Sequence, residues 1–209
     1  MKSFWDERYK AESYVYGEAP NAFFASSLSG LKPGKILLPA EGEGRNAVFA
    51  AKSGWEVHAF DWSEEGLKKG EKLADREKVH ISYRLGAMED VHYEPETFDA
   101  LGLVFAHFPE SDRRAYHQKL GNFLKPGGYL ILEGFSKAHL RFSAVNPKAG
   151  GPKNEGMLFS LAEIQRDFTD FEWEVLEEVN DSLEEGSYHM GEAALIRAFG
   201  RKKKTNKKE

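Results

Sequence analysis

Lys35-Ile36-Leu37-Leu38-Pro39-Ala40-Glu41-Gly42-Glu43-Gly44-Arg45-Asn46 is the stretch that decides the fold. Three aliphatic residues, Ile36 to Leu38, end at two glycines one residue apart. A helix-compatible run from Arg45 to Ala51 follows directly. A short buried strand, a glycine turn and a helix N-terminus make the opening βα unit of a nucleotide-type sheet. Glycine at 42 and 44 lets the backbone turn tightly and approach a ligand that a Cβ would hold away. Gly42-x-Gly44-x-x-Ala47 also fits the dinucleotide fingerprint, which points to a nicotinamide-dependent oxidoreductase as one reading.

Glu41 and Glu43 weigh against that reading. A pyrophosphate in this turn would face two carboxylates at close range, and like charges repel. S-adenosylmethionine carries no phosphate. It brings an ammonium, a sulfonium and a single carboxylate. The helix start at Arg45 and Asn46 can attract that carboxylate through its free N–H groups and its dipole.

Downstream, Ser53-Gly54 closes the first helix and Glu56 to Asp61 reads as a second strand. Asp61 stands where such folds place a carboxylate that accepts both ribose hydroxyls, with Trp62 beside it. The competing role, capping the next helix, falls to Ser63, with Glu64 and Glu65 favourable in a first turn over roughly 64–77. Ile81 to Gly86 is a third strand. The Ala87-Met88-Glu89 loop at its end is either an ordinary turn or the place where backbone groups read an adenine edge beneath Met88. Phe98 to Phe105 is a buried fourth strand, with Ala106-His107-Phe108-Pro109 on the same rim. A helix over about 110–124, a glycine turn at Lys125 to Gly128 and a fifth strand from Tyr129 to Phe135 follow.

This β-α repetition with short loops predicts a parallel sheet with helices on both faces. Residues 136–158 are irregular, and a helix lies near 160–168. Phe171–Val179 and Tyr188–Phe199, joined through the turn-prone Asn180–Gly186, predict an antiparallel hairpin. Upstream, residues 2–30 are rich in rings, including Trp5, Tyr9, Tyr14 and Tyr16. They predict a helical segment that packs on the sheet edge, or a lid whose rings face a sulfonium.

The 209 residues, 41% apolar, suffice for one buried core, so residues 1–200 are expected to form a single domain. The chain has no cysteine, which excludes disulfides, zinc–thiolate sites and thiol nucleophiles. No His/Asp/Glu cluster has ligand spacing, so no metal is expected. No apolar run reaches the ~20 residues of a membrane span, and no signal peptide is evident, so a cytoplasmic protein without a membrane partner is expected. Six cationic residues crowd positions 201–209 against Glu209, which leaves residues 1–200 at about −10. An acidic body argues against a nucleic-acid partner, and the basic tail is expected to be disordered.

The glycine turn with Asp61, Phe98-Asp99, Leu124-Lys125-Pro126-Gly127-Gly128 and the terminal hairpin together resemble the class I S-adenosylmethionine-dependent methyltransferases. Phe4-Trp5-Asp6-Glu7-Arg8-Tyr9, Tyr14-Val15-Tyr16-Gly17 and Pro20-Asn21 are most similar to one branch, the small bacterial tellurite-resistance and thiopurine methyltransferases. The resemblance implies a Rossmann-like, doubly wound α/β sheet of seven strands, mostly parallel with an antiparallel last strand. It implies S-adenosylmethionine as cofactor and a small-molecule acceptor, and it fits a monomer or weak dimer. It places Gly42 and Gly44 beneath the cofactor, Asp61 on its ribose, Ala87 to Glu89 near the adenine, and Phe105, Ala106 and His107 along the methionine. The family has an acid where this chain has Leu38 and a glycine where it has Ala40. Glu41 then stands in for the acid, and the departure also admits a cofactor-binding module without turnover.

Methyl transfer is an in-line displacement that needs positioning and exclusion of water. A soft thiol, selenium or tellurium nucleophile needs no base, whereas an oxygen or nitrogen acceptor often does. His107 is the candidate base. Tyr188, His189 and Arg141 are candidates on the acceptor side.

Overall fold

The computed structural model describes residues 2–204. Its strands are β1 (Lys35–Pro39), β2 (Glu56–Asp61), β3 (Ser82–Leu85), β4 (Phe98–Val104), β5 (Leu124–Phe135), β6 (Phe171–Glu185) and β7 (His189–Lys202). Its helices are α1 (Lys2–Tyr9), α2 (Ala22–Ser29), α3 (Arg45–Lys52), α4 (Glu64–Glu77), α5 (Glu110–Phe123), α6 (Leu140–Val145) and α7 (Leu161–Asp167). The strands form one sheet in the order β3-β2-β1-β4-β5-β7-β6. Strands β1 to β5 pair in parallel, β7 runs antiparallel to β5, and β6 runs antiparallel to β7. This is the Rossmann-like, seven-stranded α/β sheet expected from the sequence.

Strand β1 shows why the aliphatic run does not alternate with polar residues. Leu37 packs with Leu101, Leu130 and Leu132 on one face of the sheet, and Ile36 and Leu38 pack with Ala100 and Ile131 on the other. Both faces are covered by helices, so the buried positions Ile36 to Leu38 are all apolar. The chain winds outward from β1 to β3 and returns to β4 on the far side of β1. Strand order therefore reverses between β1 and β4, and a crevice opens above their C-terminal ends.

Helix α4 begins as expected. The Ser63 hydroxyl accepts from Gly66 N–H at 3.2 Å. Helix α1 is pinned to the same point: Asp6 Oδ1 accepts from Ser63 Oγ at 2.7 Å and from Glu64 N–H at 3.1 Å. The aromatic leader is thus docked over the crevice.

Three local expectations change. The hairpin is longer than its composition suggests, because β6 and β7 pair from Phe171 opposite Lys202 to Glu185 opposite His189. Asn180 to Glu185 are turn formers by composition, yet they extend beside His189 to Ala194, where the burial of Ala193 and Ala194 fixes the register. The turn shrinks to Gly186-Ser187-Tyr188, with Gly186 at φ +65°. Second, α5 passes straight into extended backbone at Leu124, and Lys125 to Gly128 bulge out within β5 instead of forming a helix-ending turn. Third, the basic tail does not start at 201. Arg201 and Lys202 close β7, and Lys202 Nζ donates to the carbonyls of Gly121 and Leu124 at 2.8 and 3.0 Å. Lys207 and Lys208 lie outside the described residues. Among the described residues no helix is long and apolar enough to cross a membrane.

Candidate active site

A cavity of about 720 Å³ lies above the C-terminal ends of β1, β2, β3 and β4, roofed by α1 and flanked by the β6–β7 turn. Its floor is the glycine turn. Gly42 sits at φ +62° and Gly44 at φ +86°, backbone that side-chain-bearing residues rarely adopt. A Cβ at Gly42 would fall 2.6 Å from the Tyr9 hydroxyl, and one at Gly44 would fall 2.6 Å from Cα of Gly70. The first glycine therefore admits the lid, and the second admits α4. Gly44 itself does not line the cavity, which corrects its assignment beneath a ligand.

The two acids of the turn do different work. Glu41 folds back so that its Oε1 accepts from Ala47 N–H at 2.7 Å, inside the first turn of α3. The anion position at that helix start is filled by the protein's own carboxylate, which corrects the expectation that a ligand carboxylate binds there. Burial pushes the Glu41 carboxyl up to about 7, against the pull of the Ala47 N–H and the Arg45 guanidinium. Glu43 points the other way. It accepts from the backbone N–H groups of Val15 and Tyr16, both at 3.2 Å, and from Lys69 Nζ at 2.8 Å. It ties the leader to the glycine turn. Asn46 does likewise, its Oδ1 accepting from Asn21 N–H at 2.9 Å.

Asp61 ends β2 facing the cavity. Its Oδ2 accepts from Gly42 N–H at 3.0 Å and its Oδ1 from Ser63 N–H at 2.8 Å. These bonds fix the carboxylate plane while leaving each oxygen a further lone pair. Burial pushes its carboxyl up to about 6. Tyr83 Oη donates to Gly42 O at 2.5 Å and completes the support from β3. Trp62, Ala87, Met88 and Glu89 line the same end of the cavity. Glu89 accepts from the Tyr116 hydroxyl, and this bond pushes Tyr116 up to about 12.

Ala40 and Phe105, the residues just after β1 and β4, both hold φ +51°. Non-glycine residues held in the left-handed region are strained, and both of these line the cavity. Ala40 adopts the backbone that a glycine would take without cost. Leu38, where the resembling family has an acid, is 1% exposed and packed in the core, so it contributes nothing to the cavity.

His107 lines the cavity but is not free to act as a base. Its Nδ1 lies 2.7 Å from Met157 O, and its Nε2 accepts from Phe135 N–H at 3.1 Å. The ring is stacked on Phe159 at 4.5 Å, and burial pushes its pKa down to about 3. Both nitrogens are used by the backbone, so His107 is a structural post that positions the loop around Met157. Ala106 turns into the core. Tyr14 packs on α4, its hydroxyl donating to Lys69 O, and Arg141 of α6 donates to Asn180 of β6. Neither reaches the cavity. Tyr188 is half exposed and reaches it only through Arg8, which lies 4.1 Å over its ring.

The rings that do form the roof are Trp5, stacked on Tyr9 at 5.5 Å, and Tyr16, 6.3 Å from each. Arg8 Nη1 donates to the Tyr16 hydroxyl at 2.8 Å, and Arg8 has no acidic partner among the described residues. Sequence reading passed over Arg8. Its signal was there, since it is the only cation on the ring-bearing face of Phe4 to Tyr9. Also missed were Phe135, Lys153 and Met157, which line the cavity from segments with no recognisable motif, whereas the sequence places Phe108 on this rim. His189 is brought to the cavity, as expected. Among the described residues no group of three His, Asp or Glu could hold a metal ion.

Residues 36–128 match the family model described as "Methyltransferase domain". No curated protein sequence matches the chain. Among solved structures, one reported as "Conversion of a Disulfide Bond into a Thioacetal Group during Echinomycin Biosynthesis" is similar with a TM-score of 0.77 and 18% identity. The match covers 99% of this chain and 94% of that one. TehB from Haemophilus influenzae gives a TM-score of 0.70 at 15% identity, covering 97% of this chain and 67% of that one. The N-methyltransferase NodS from Bradyrhizobium japonicum WM9, solved with S-adenosylhomocysteine, gives 0.69 at 13% identity, covering 96% and 97%. At these identities the likeness is one of fold.

Proposed function

We propose that this chain is an enzyme that transfers the methyl group of S-adenosylmethionine to a small-molecule acceptor held in the aromatic half of the cavity. The domain match and the fold support the enzyme class and the cofactor. The observation that carries the reading within the site is Glu41. Its carboxylate fills the helix start that a dinucleotide's pyrophosphate would need, so the cavity favours a ligand without phosphate.

In this reading Asp61 accepts the ribose hydroxyls, and Ala87 to Glu89 border the adenine. The remaining oxygen of Glu41 faces the ammonium. The cofactor's carboxylate goes to Arg8, a roof cation without an acidic partner among the described residues. When bound, S-adenosylmethionine supplies an electrophilic methyl group. The chain's own part is to orient both partners and to keep water out under Trp5, Tyr9 and Tyr16. The leader, which resembles that of the tellurite-resistance and thiopurine methyltransferases, supports an acceptor small enough to fit beneath those rings. The acidic body fits a cytoplasmic enzyme without a nucleic-acid partner.

The test is direct. Protein purified under mild conditions, examined by native mass spectrometry, is expected to carry or take up one S-adenosylhomocysteine. With methyl-labelled S-adenosylmethionine it is expected to label a compound from a metabolite extract below about 1 kDa, a size set by the cavity. Label appearing only on macromolecules, or no uptake of S-adenosylhomocysteine, would overturn the reading.

A further inference from the structure

The hairpin tip carries a carboxylate–imidazole pair that the proposed function leaves unused. Glu185 ends β6 and His189 begins β7, directly opposite each other in register. His189 Nδ1 lies 3.4 Å from Glu185 Oε2. Glu185 is held from both sides: Arg45 Nη2 donates to its Oε2 at 2.6 Å, and Asn21 Nδ2 donates to its Oε1 at 2.9 Å. Asn21 in turn donates to Glu133, which Arg197 also grips. The carboxylate is thus fixed by a buried network reaching four elements. His189 is 5% exposed, wedged between Phe105 at 4.2 Å and Tyr16 at 4.6 Å, and it lines the cavity. Its Nε2 has no partner among the described residues, and it is not among the atoms sealed from the cavity without one.

We propose that His189 is the general base of the methyl transfer, with Glu185 as its positioning residue, so that the acceptor is a small molecule methylated on an O–H or N–H group. This rests on the reading above. Glu185 accepts from Nδ1–H and so leaves the lone pair on Nε2 facing the acceptor. As the acceptor's oxygen or nitrogen bonds to the methyl carbon, the sulfur–carbon pair stays with sulfur and the acceptor's proton passes to Nε2. The imidazolium formed is balanced by the Glu185 carboxylate, and it later releases the proton to water. A thiolate or tellurium oxyanion would need no such pair.

The charged and titratable groups facing His189 are Glu185, Arg45, Tyr16, His107 and His139. Burial first, then Arg45, pushes the His189 pKa down to about 4 against the pull of Glu185, so the ring is neutral at physiological pH. Against burial, the His189 bond and the Arg45 guanidinium hold Glu185 at about 2, so it remains charged.

Two measurements test this on the full chain. In nitrogen-resolved histidine spectra with S-adenosylhomocysteine bound, the signal lost in His189→Gln is expected to show Nδ1 protonated and Nε2 bare at pH 7. In activity assays 2-naphthol, catechol and tryptamine serve as protic probes, and thiophenol and tellurite as base-independent ones. At least one protic probe is expected to be methylated, with His189→Gln slower by about 100-fold or more. Glu185→Gln is expected to slow it less and to move the acidic limb of its pH profile downward. S-adenosylhomocysteine affinity is expected to stay within about three-fold in both variants, which also shows that they fold. Protonated Nε2 in the spectra, an unchanged rate in His189→Gln, or transfer to none of the three protic probes would overturn the proposal. Failure of the wild type to bind S-adenosylhomocysteine would instead overturn the underlying reading.

Discussion

At Asp61 and Glu41 the chain keeps two carboxyl groups out of water, and both are pushed up, to about 6 and about 7. A group whose folded pKa is raised contributes stability fully present below its unfolded value. That contribution is lost as pH rises through the folded value, here between roughly pH 4 and pH 7. Glu41→Gln keeps an oxygen for the Ala47 N–H but cannot ionise. It is expected to gain stability relative to wild type at pH 8 and to gain less at pH 4.5, as read by urea unfolding. An ammonium beside Glu41 would draw the carboxyl back down. Binding of S-adenosylhomocysteine at pH 7 is therefore expected to release protons, seen as a binding heat that changes with the buffer, and Glu41→Gln should abolish most of that release. Asp61→Ala is expected to weaken S-adenosylhomocysteine binding by about 1–3 kcal/mol through lost hydrogen bonds to a charged group. An unchanged dissociation constant would remove Asp61 from the site.

The elements around the site depend on close backbone approach more than on side-chain chemistry. Gly44 lies against Gly70 of α4, so Gly44→Ala combines a disfavoured φ with a clash between two main chains. It is expected to cost about 2–5 kcal/mol in thermal unfolding. A wild-type-like melting temperature would mean that α4 can shift freely. This packing was only partly legible in the sequence. The strand, the turn and α3 could be read at 35–51 because three local signals agree there: apolar run, glycines and helix former. The limits of α4 could be read from Ser63 and the acids after it. The hairpin turn could not, because Asn180 to Glu185 favour turns locally and are overruled by strand pairing with His189 to Ala194, where Ala193 and Ala194 are buried in the core. His107 was misjudged for a similar reason. A histidine at a strand end looks available until the distant Met157 carbonyl and Phe135 N–H occupy both nitrogens.

Across the whole molecule, the reversal of strand order between β1 and β4 opens the crevice, and the leader closes it. Arg8, Trp5 and Tyr16 reach the cavity from a segment whose rings suggest either an edge-packed helix or a lid, but whose contacts the sequence does not specify. The leader's partners, Ser63 for Asp6, Tyr188 for Arg8 and His189 for Tyr16, lie 50 or more residues away, and spacing alone does not reveal such contacts. Which ligand this arrangement accepts turns on Glu41 and Asp61: one fills the helix start that a pyrophosphate would need, and the other is proposed to accept ribose hydroxyls. Calorimetric unfolding of the intact protein, alone and with equal saturating concentrations of S-adenosylhomocysteine or of NAD, compares the two ligands on the same fold. At about one hundred times its dissociation constant, a ligand that binds only the folded state adds about 2.7 kcal/mol. A clear upward shift with S-adenosylhomocysteine and none with NAD is expected; a shift with NAD and none with S-adenosylhomocysteine would overturn the assignment of the cavity to a phosphate-free sulfonium cofactor.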